Sequence, residues 1–109
     1  MVVEEVAELF GVLAHPTRVR ILRLLHEGEH DVSEIRAQIG IPPTNASQHL
    51  ALLRTHRLVT VRREGTRLYY CMRNPRVTEL IDRALDILDS GMSQAPQLRE
   101  AIGLLRSRS

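Results

Sequence analysis

The run Gly40-Ile41-Pro42-Pro43 constrains this chain most, because it divides two stretches of helical spacing and lies shortly ahead of two β-rich runs. A glycine closing one helix and a proline opening the next are the asymmetric end signals of helices. Upstream, Val32, Ile35 and Ile39 recur at helical steps behind Asp31. Glu34, three residues after Asp31, completes a capping box, and Gly40 supplies the stop, which predicts a helix over 32–39. Downstream, Ala46, Leu50 and Leu53 make the inward stripe of a helix over 43–55. Two helices joined by Gly-Ile-Pro predict a helix-turn-helix over 31–55. Leu58–Arg63 and Arg67–Met72 then flank Glu64-Gly65-Thr66 in the pattern of a β-hairpin, predicting a wing over 57–73.

The flanks are helical. Val3, Val6, Leu9, Phe10 and Leu13 predict a helix over 3–13, and Pro16 opens a second over 16–27 that carries Val19, Ile21, Leu22, Leu24 and Leu25 before Gly28. Residues 75–90 present Val77, Leu80, Ile81, Ala84, Leu85, Ile87 and Leu88, a stripe too broad for one small core, which calls for a partner surface. Gly91 and Ser93 interrupt it. Pro96 opens a last helix with Leu98, Ala101, Ile102 and Leu105, followed by a frayed Arg-Ser tail. At 109 residues, 43% hydrophobic and 3% aromatic, the expectation is one domain over 1–109, mainly α with a small β-hairpin. There is no apolar run of 18 residues, and Glu4, Glu5 and Glu8 stand where a signal peptide would be basic and then apolar. A cytoplasmic protein with no membrane partner is therefore expected. The single cysteine, Cys71, excludes an internal disulfide and the usual structural zinc sites, and reads as an inert small residue.

All fifteen basic residues are arginine, and they are unevenly placed. Residues 41–76 carry seven Arg against Glu64 alone, whereas residues 1–40 carry four against seven acids. Such a block either marks a polyanion-binding face or is an ordinary solvated surface. The helix over 43–55 reads as a solvated face by itself, and the turn and wing beside it favour the first. At about 100° per residue, Thr44, Gln48 and Ala51 lie opposite Ala46, with Asn45 and Ser47 on the flanks. Amides and hydroxyls suit base edges, since Asn and Gln can bond both N6 and N7 of adenine. His49, about 60° from the core direction, reads as a half-buried packing residue, with phosphate contact as the alternative. Arg62, Arg63 and Arg67 bracket the hairpin tip, where a wing reaches the minor groove or the backbone, although Glu64 dilutes the charge there. Arg54 and Arg57 serve either phosphate or the helix C-terminal dipole. No Gly-rich phosphate loop, nucleophile beside a base or paired-carboxylate cleft is legible, so no catalytic residues and no enzyme are expected.

The segments LAHPTRVRILRLL (13–25) and NASQHLALLRTHRLVTVRREGTRLYY (45–70) resemble the ArsR/SmtB-type winged helix-turn-helix regulators, over roughly residues 5–90. The resemblance implies a winged helix-turn-helix of about five core helices plus a wing, with an extra C-terminal helix. It implies a homodimer joined by its terminal helices, residues 1–15 and 75–106. The fourth helix would enter the major groove of double-stranded DNA at an inverted-repeat operator, and the protein would act as a repressor. Where relatives often place metal-binding cysteines, Asp31 and Ser33 stand here, and Asn74, Arg76, Ile87 and Ser90 replace the ligands of the last core helix. The expectation is accordingly no metal and no cofactor, with an unidentified effector such as a small organic molecule between the terminal helices. Lone Cys71 does not match the two-cysteine thiol sensors. The alternatives are a winged helix used for protein association, a thiol sensor, or an atypical metal sensor through His26, Glu27, Glu29, His30 and Asp31. His15 is expected to cap or pack where the first two helices join, and His56 to stand exposed before the wing.

Overall fold

The local reasons for each helix boundary are visible in a computed structural model that describes residues 1–91 and 96–107. Helix α1 (Val2–Leu13) gives way to α2 (Pro16–His26) through the run His15-Pro16-Thr17-Arg18. His15 takes an extended backbone and its Nδ1 accepts from the Thr17 N–H at 3.1 Å, with Pro16 at the first helical position. The Arg18 guanidinium donates back to the carbonyls of Val12 and Gly11 at the end of α1. One four-residue motif thus satisfies orphan groups at two helix ends.

Helix α3 (Val32–Ile39) starts on the predicted capping box. Glu34 N–H donates to Asp31 Oδ1 at 2.8 Å, and Asp31 N–H donates to Glu34 Oε1 at 2.9 Å. It stops at Gly40, whose φ of 76° is the left-handed cap that favours glycine. Helix α4 (Pro43–Thr55) begins with Pro43 and ends in a tighter device. Leu58 N–H donates to the Leu53 carbonyl at 2.9 Å and Arg57 N–H to that of Arg54 at 3.0 Å, the paired bonds of a Schellman turn. Arg57 therefore sits at φ 61°, and it is the one non-glycine residue at positive φ among the described residues.

That turn delivers the chain into β2 (Val59–Glu64), which pairs antiparallel with β3 (Arg67–Met72) from Val59 opposite Met72 to Glu64 opposite Arg67. The hairpin closes on Gly65 and Thr66 alone, with Gly65 at φ 63°, so Glu64 belongs to the strand rather than the turn. A third strand, β1 (His30–Asp31), pairs with β3 through His30 opposite Tyr70 and Asp31 opposite Tyr69, giving the order β1-β3-β2. Spacing does not predict β1, because two residues carry no alternation.

The chain divides into two compact units, Met1–Pro75 and a second from Arg76 onward. The first has a core of Ile21, Leu22 and Leu25 from α2, Ile35 from α3, Leu50 and Leu53 from α4, and Val59 from β2, all fully buried. Ala46 is buried with them, so the stripe predicted for α4 does face inward. Val12 is the buried residue of α1, while Val2, Val3, Val6 and Phe10 are exposed. In the second unit, α5 (Arg76–Gly91) buries Val77, Thr78, Ile81 and Leu85 and leaves Ile87 and Leu88 exposed. Helix α6 (Pro96–Ser107) buries Ile102, and Arg106 joins Arg83 in pairing with Asp86 of α5. Ser93, the side chain of Leu98 and the end of the tail lie outside the described residues. No described helix is long and apolar enough to cross a membrane.

Candidate nucleic-acid interface

The outer face of α4 is built by the same pattern that buries its inner face. With Ala46, Leu50 and Leu53 inside, Thr44, Asn45, Ser47, Gln48 and Ala51 are exposed. The helix contains no acidic residue, and Arg54 stands exposed in its last turn. His49 is half-buried, its ring centroid 4.5 Å from that of His15 at an interplanar angle of 56°. Burial, then the charges of His15 and Arg18, push its pKa below the ordinary histidine value, so the neutral ring is favoured at that contact. His15 both caps α2 and packs on α4.

The hairpin is organised by its pleat. Side chains of Val59, Val61 and Arg63 share a face with Met72, Tyr70 and Leu68, and those of Thr60, Arg62 and Glu64 share the other with Cys71, Tyr69 and Arg67. An open groove of about 520 Å³ lies between α4 and the first face, lined by Ser47, Leu50, Ala51, Arg54 and Thr55 with Val32, Leu68 and Tyr70. Arg63 therefore belongs to the side of the sheet turned towards α4, and no carboxylate pairs with it among the described residues. Arg62 and Arg67 belong to the opposite side, where carboxylates meet them.

Arg62 is held on several sides. Its Nε and Nη2 donate to Glu29 Oε2 and Oε1 at 2.8 and 2.6 Å, and Nη1 donates to Glu64 Oε2 at 2.7 Å. The guanidinium carbon lies 4.6 Å from the centroid of the Tyr69 ring. These bonds raise the pKa of Arg62, and the hydrogen bond from Arg62 holds the Glu29 carboxyl below its usual range. Arg67 lies 3.6 Å from Asp31 and donates to the Tyr69 hydroxyl at 3.4 Å.

The three wing arginines that the sequence groups together are thus separated by the pleat and by acids from the chain ahead of α3. Glu29, Tyr69 and Tyr70 are the participants that sequence reasoning misses. The Arg62–Glu29 contact joins residues 33 apart, and no local spacing signals it. His56 is a correction: expected to be exposed, it is half-buried with Nδ1 3.7 Å from Glu8, because α1 packs beside it. In the loop considered for an atypical metal site, Glu29 is taken by Arg62, Asp31 by the capping box, and His30 Nδ1 lies 2.8 Å from the Gly28 carbonyl. Among the described residues no three His, Cys, Asp or Glu side chains gather in a way that could hold a metal.

A helix-turn-helix followed by a small antiparallel sheet whose hairpin flanks the second helix defines a winged helix-turn-helix protein. Residues 13–62 match the model of a helix-turn-helix domain. The transcriptional regulator KmtR of Mycobacterium tuberculosis is 39% identical over 102 residues, 94% of this chain and 78% of that protein. The crystal structure of the transcriptional repressor BigR from Xylella fastidiosa matches at a TM-score of 0.72 and 34% identity, covering 78% of this chain and 87% of that one. The solution structure of a homodimeric winged helix-turn-helix DNA-binding domain from Mycobacterium bovis, a possible ArsR-family transcriptional regulator, matches at 0.70 and 36% identity, covering 81% and 82%. The chain belongs to the ArsR/SmtB-type winged helix-turn-helix transcriptional regulators.

Proposed function

We propose that this chain works in the cytoplasm as a homodimeric, sequence-specific repressor that places α4 of each copy in successive major grooves of an inverted-repeat operator. The observation that carries this reading is the exposed, acid-free outer face of α4, set by the buried Ala46, Leu50 and Leu53 beneath it. Gln48 and Asn45 offer amides to adenine edges, and Thr44 and Ser47 offer hydroxyls to bases or phosphates. Arg54 and Arg63 flank the groove beside α4 and neutralise the DNA backbone. Arg67 adds less, because Asp31 already opposes it, and Arg62 is engaged by Glu29 and Glu64. His49 supports α4 from behind rather than touching DNA. In this scheme residues 31–55 form the reading element, 57–73 the wing, and 1–15 and 75–106 the dimer surfaces within one functional domain. The exposed Val2, Val3, Val6 and Phe10 of α1, and separately Ile87 and Leu88 of α5, supply apolar area for a second copy.

Fluorescence anisotropy on labelled DNA from upstream of the protein's own gene, against scrambled DNA across a salt series, tests the reading. A preference of about a thousandfold with a steep salt slope is expected. Equal and weak binding to both duplexes would defeat the claim for that operator and raise protein association in its place.

A further inference from the structure

We infer that Arg62 is the positioning residue of the wing rather than one of its DNA contacts: it stitches the three strands together through Glu29 and leaves Arg63 as the wing cation that meets phosphate. The second half of this inference rests on the DNA-binding reading above, and the stitch itself does not.

A guanidinium has five N–H donors in a fixed fork, and here all three nitrogens already donate to carboxylate oxygens at 2.6–2.8 Å. Two of those bonds form a bidentate pair with Glu29, the arrangement that matches carboxylate geometry best and that a phosphate would have to displace. The path of the side chain matters as much as its partners. Arg62 and Tyr69 are directly opposite each other on β2 and β3, and Tyr69 is opposite Asp31 on β1. In reaching Glu29, just ahead of β1, the guanidinium crosses the Tyr69 ring, so one side chain spans β2, β3 and the approach to β1. Strand β1 contributes only two paired positions, and an isolated hairpin is marginal in water, so a tie across all three strands is where such a sheet gains definition. Because β1 runs directly into α3, the tie sets the pose of the hairpin against the helix-turn-helix. Arg63, one residue on and on the other face, is then held alongside α4 with no carboxylate opposing it.

Two readouts on the full chain test this: hydrogen exchange of the β1 and β3 amides without DNA, and the salt slope of binding to a random-sequence duplex. R63Q, which removes this cation from both copies of the homodimer, should lower the slope by about two and leave exchange unchanged. R62Q and E29Q should leave the slope unchanged and speed exchange by about threefold, the scale of an exposed ion pair. The R62Q/E29Q double variant should exchange no faster than R62Q, since R62Q already removes the pair with Glu29. A slope reduced by about two in R62Q would overturn the inference, as would tighter DNA binding by E29Q, the mark of a carboxylate competing with phosphate. Unchanged exchange in R62Q would overturn it too. If the unaltered protein binds no duplex at all, the DNA-binding reading falls and exchange alone decides the stitch.

Discussion

Helix α4 and the hairpin that follows it are neighbours in sequence and in space, yet they present opposite surfaces. The outer face of α4 is neutral, exposed and turned away from its own core, so its amides and hydroxyls are available to an outside partner. The hairpin is rich in charge, but Arg62 is bound to Glu29 and Glu64, and Arg67 approaches Asp31. Charge counted along a chain therefore overstates the field that a partner meets. The acids that offset the basic block come partly from the acid-rich first forty residues, brought across by β1. What distinguishes the two regions is which groups the fold leaves unpaired, and four changes test that distinction.

The largest effect comes from undermining α4 itself. Leu50 is 1% exposed, and Leu50→Ala should destabilise the protein by about 2–5 kcal/mol, measured by urea unfolding. A loss below 1 kcal/mol would mean that α4 is not anchored by its inner stripe. Next, Gln48→Ala should cost about 1–3 kcal/mol of binding on the operator and much less on random DNA. Equal losses on both duplexes would remove Gln48 from base reading and make α4 resemble the wing.

At the joint between the two regions, Arg57→Gly should stabilise the fold by about 0.5–1 kcal/mol, because a glycine relieves the left-handed conformation at φ 61° even after its greater freedom in the unfolded chain is counted. Destabilisation would show that the Arg57 side chain makes a contact stronger than that strain. The smallest effect is the pH dependence carried by His49. Its folded pKa is lowered, so the folded state binds fewer protons than the unfolded one. Its stability contribution is complete above the unfolded histidine pKa and is lost as pH falls through that value towards the folded one. His49→Gln should therefore flatten the decline in melting temperature between about pH 7 and pH 5. An unchanged profile would assign the decline to other groups.

Much of this was legible in local chemistry. The Asp31–Glu34 box, Gly40 and the two helix-opening prolines are end signals that act within a few residues, and α3 and α4 run over the predicted spans. The hairpin followed from β-rich runs around a glycine, and the outward set on α4 from helical geometry applied to its apolar stripe. The split among Arg62, Arg63 and Arg67 was half legible: alternation separates neighbours, but which side faces α4 depends on how the sheet packs. The environment of His56 was not legible, since Glu8 reaches it through the packing of α1.

Helix boundaries, the turn, the hairpin and the polar outer face of α4 are written in local sequence, because capping, proline geometry and helical periodicity act over one to four residues. Which charges remain available is set by packing between distant segments. Strand β1, the Arg62–Glu29 pair and the half-burial of His56 join residues tens of positions apart, and the energy of such contacts depends on distances that no local pattern encodes.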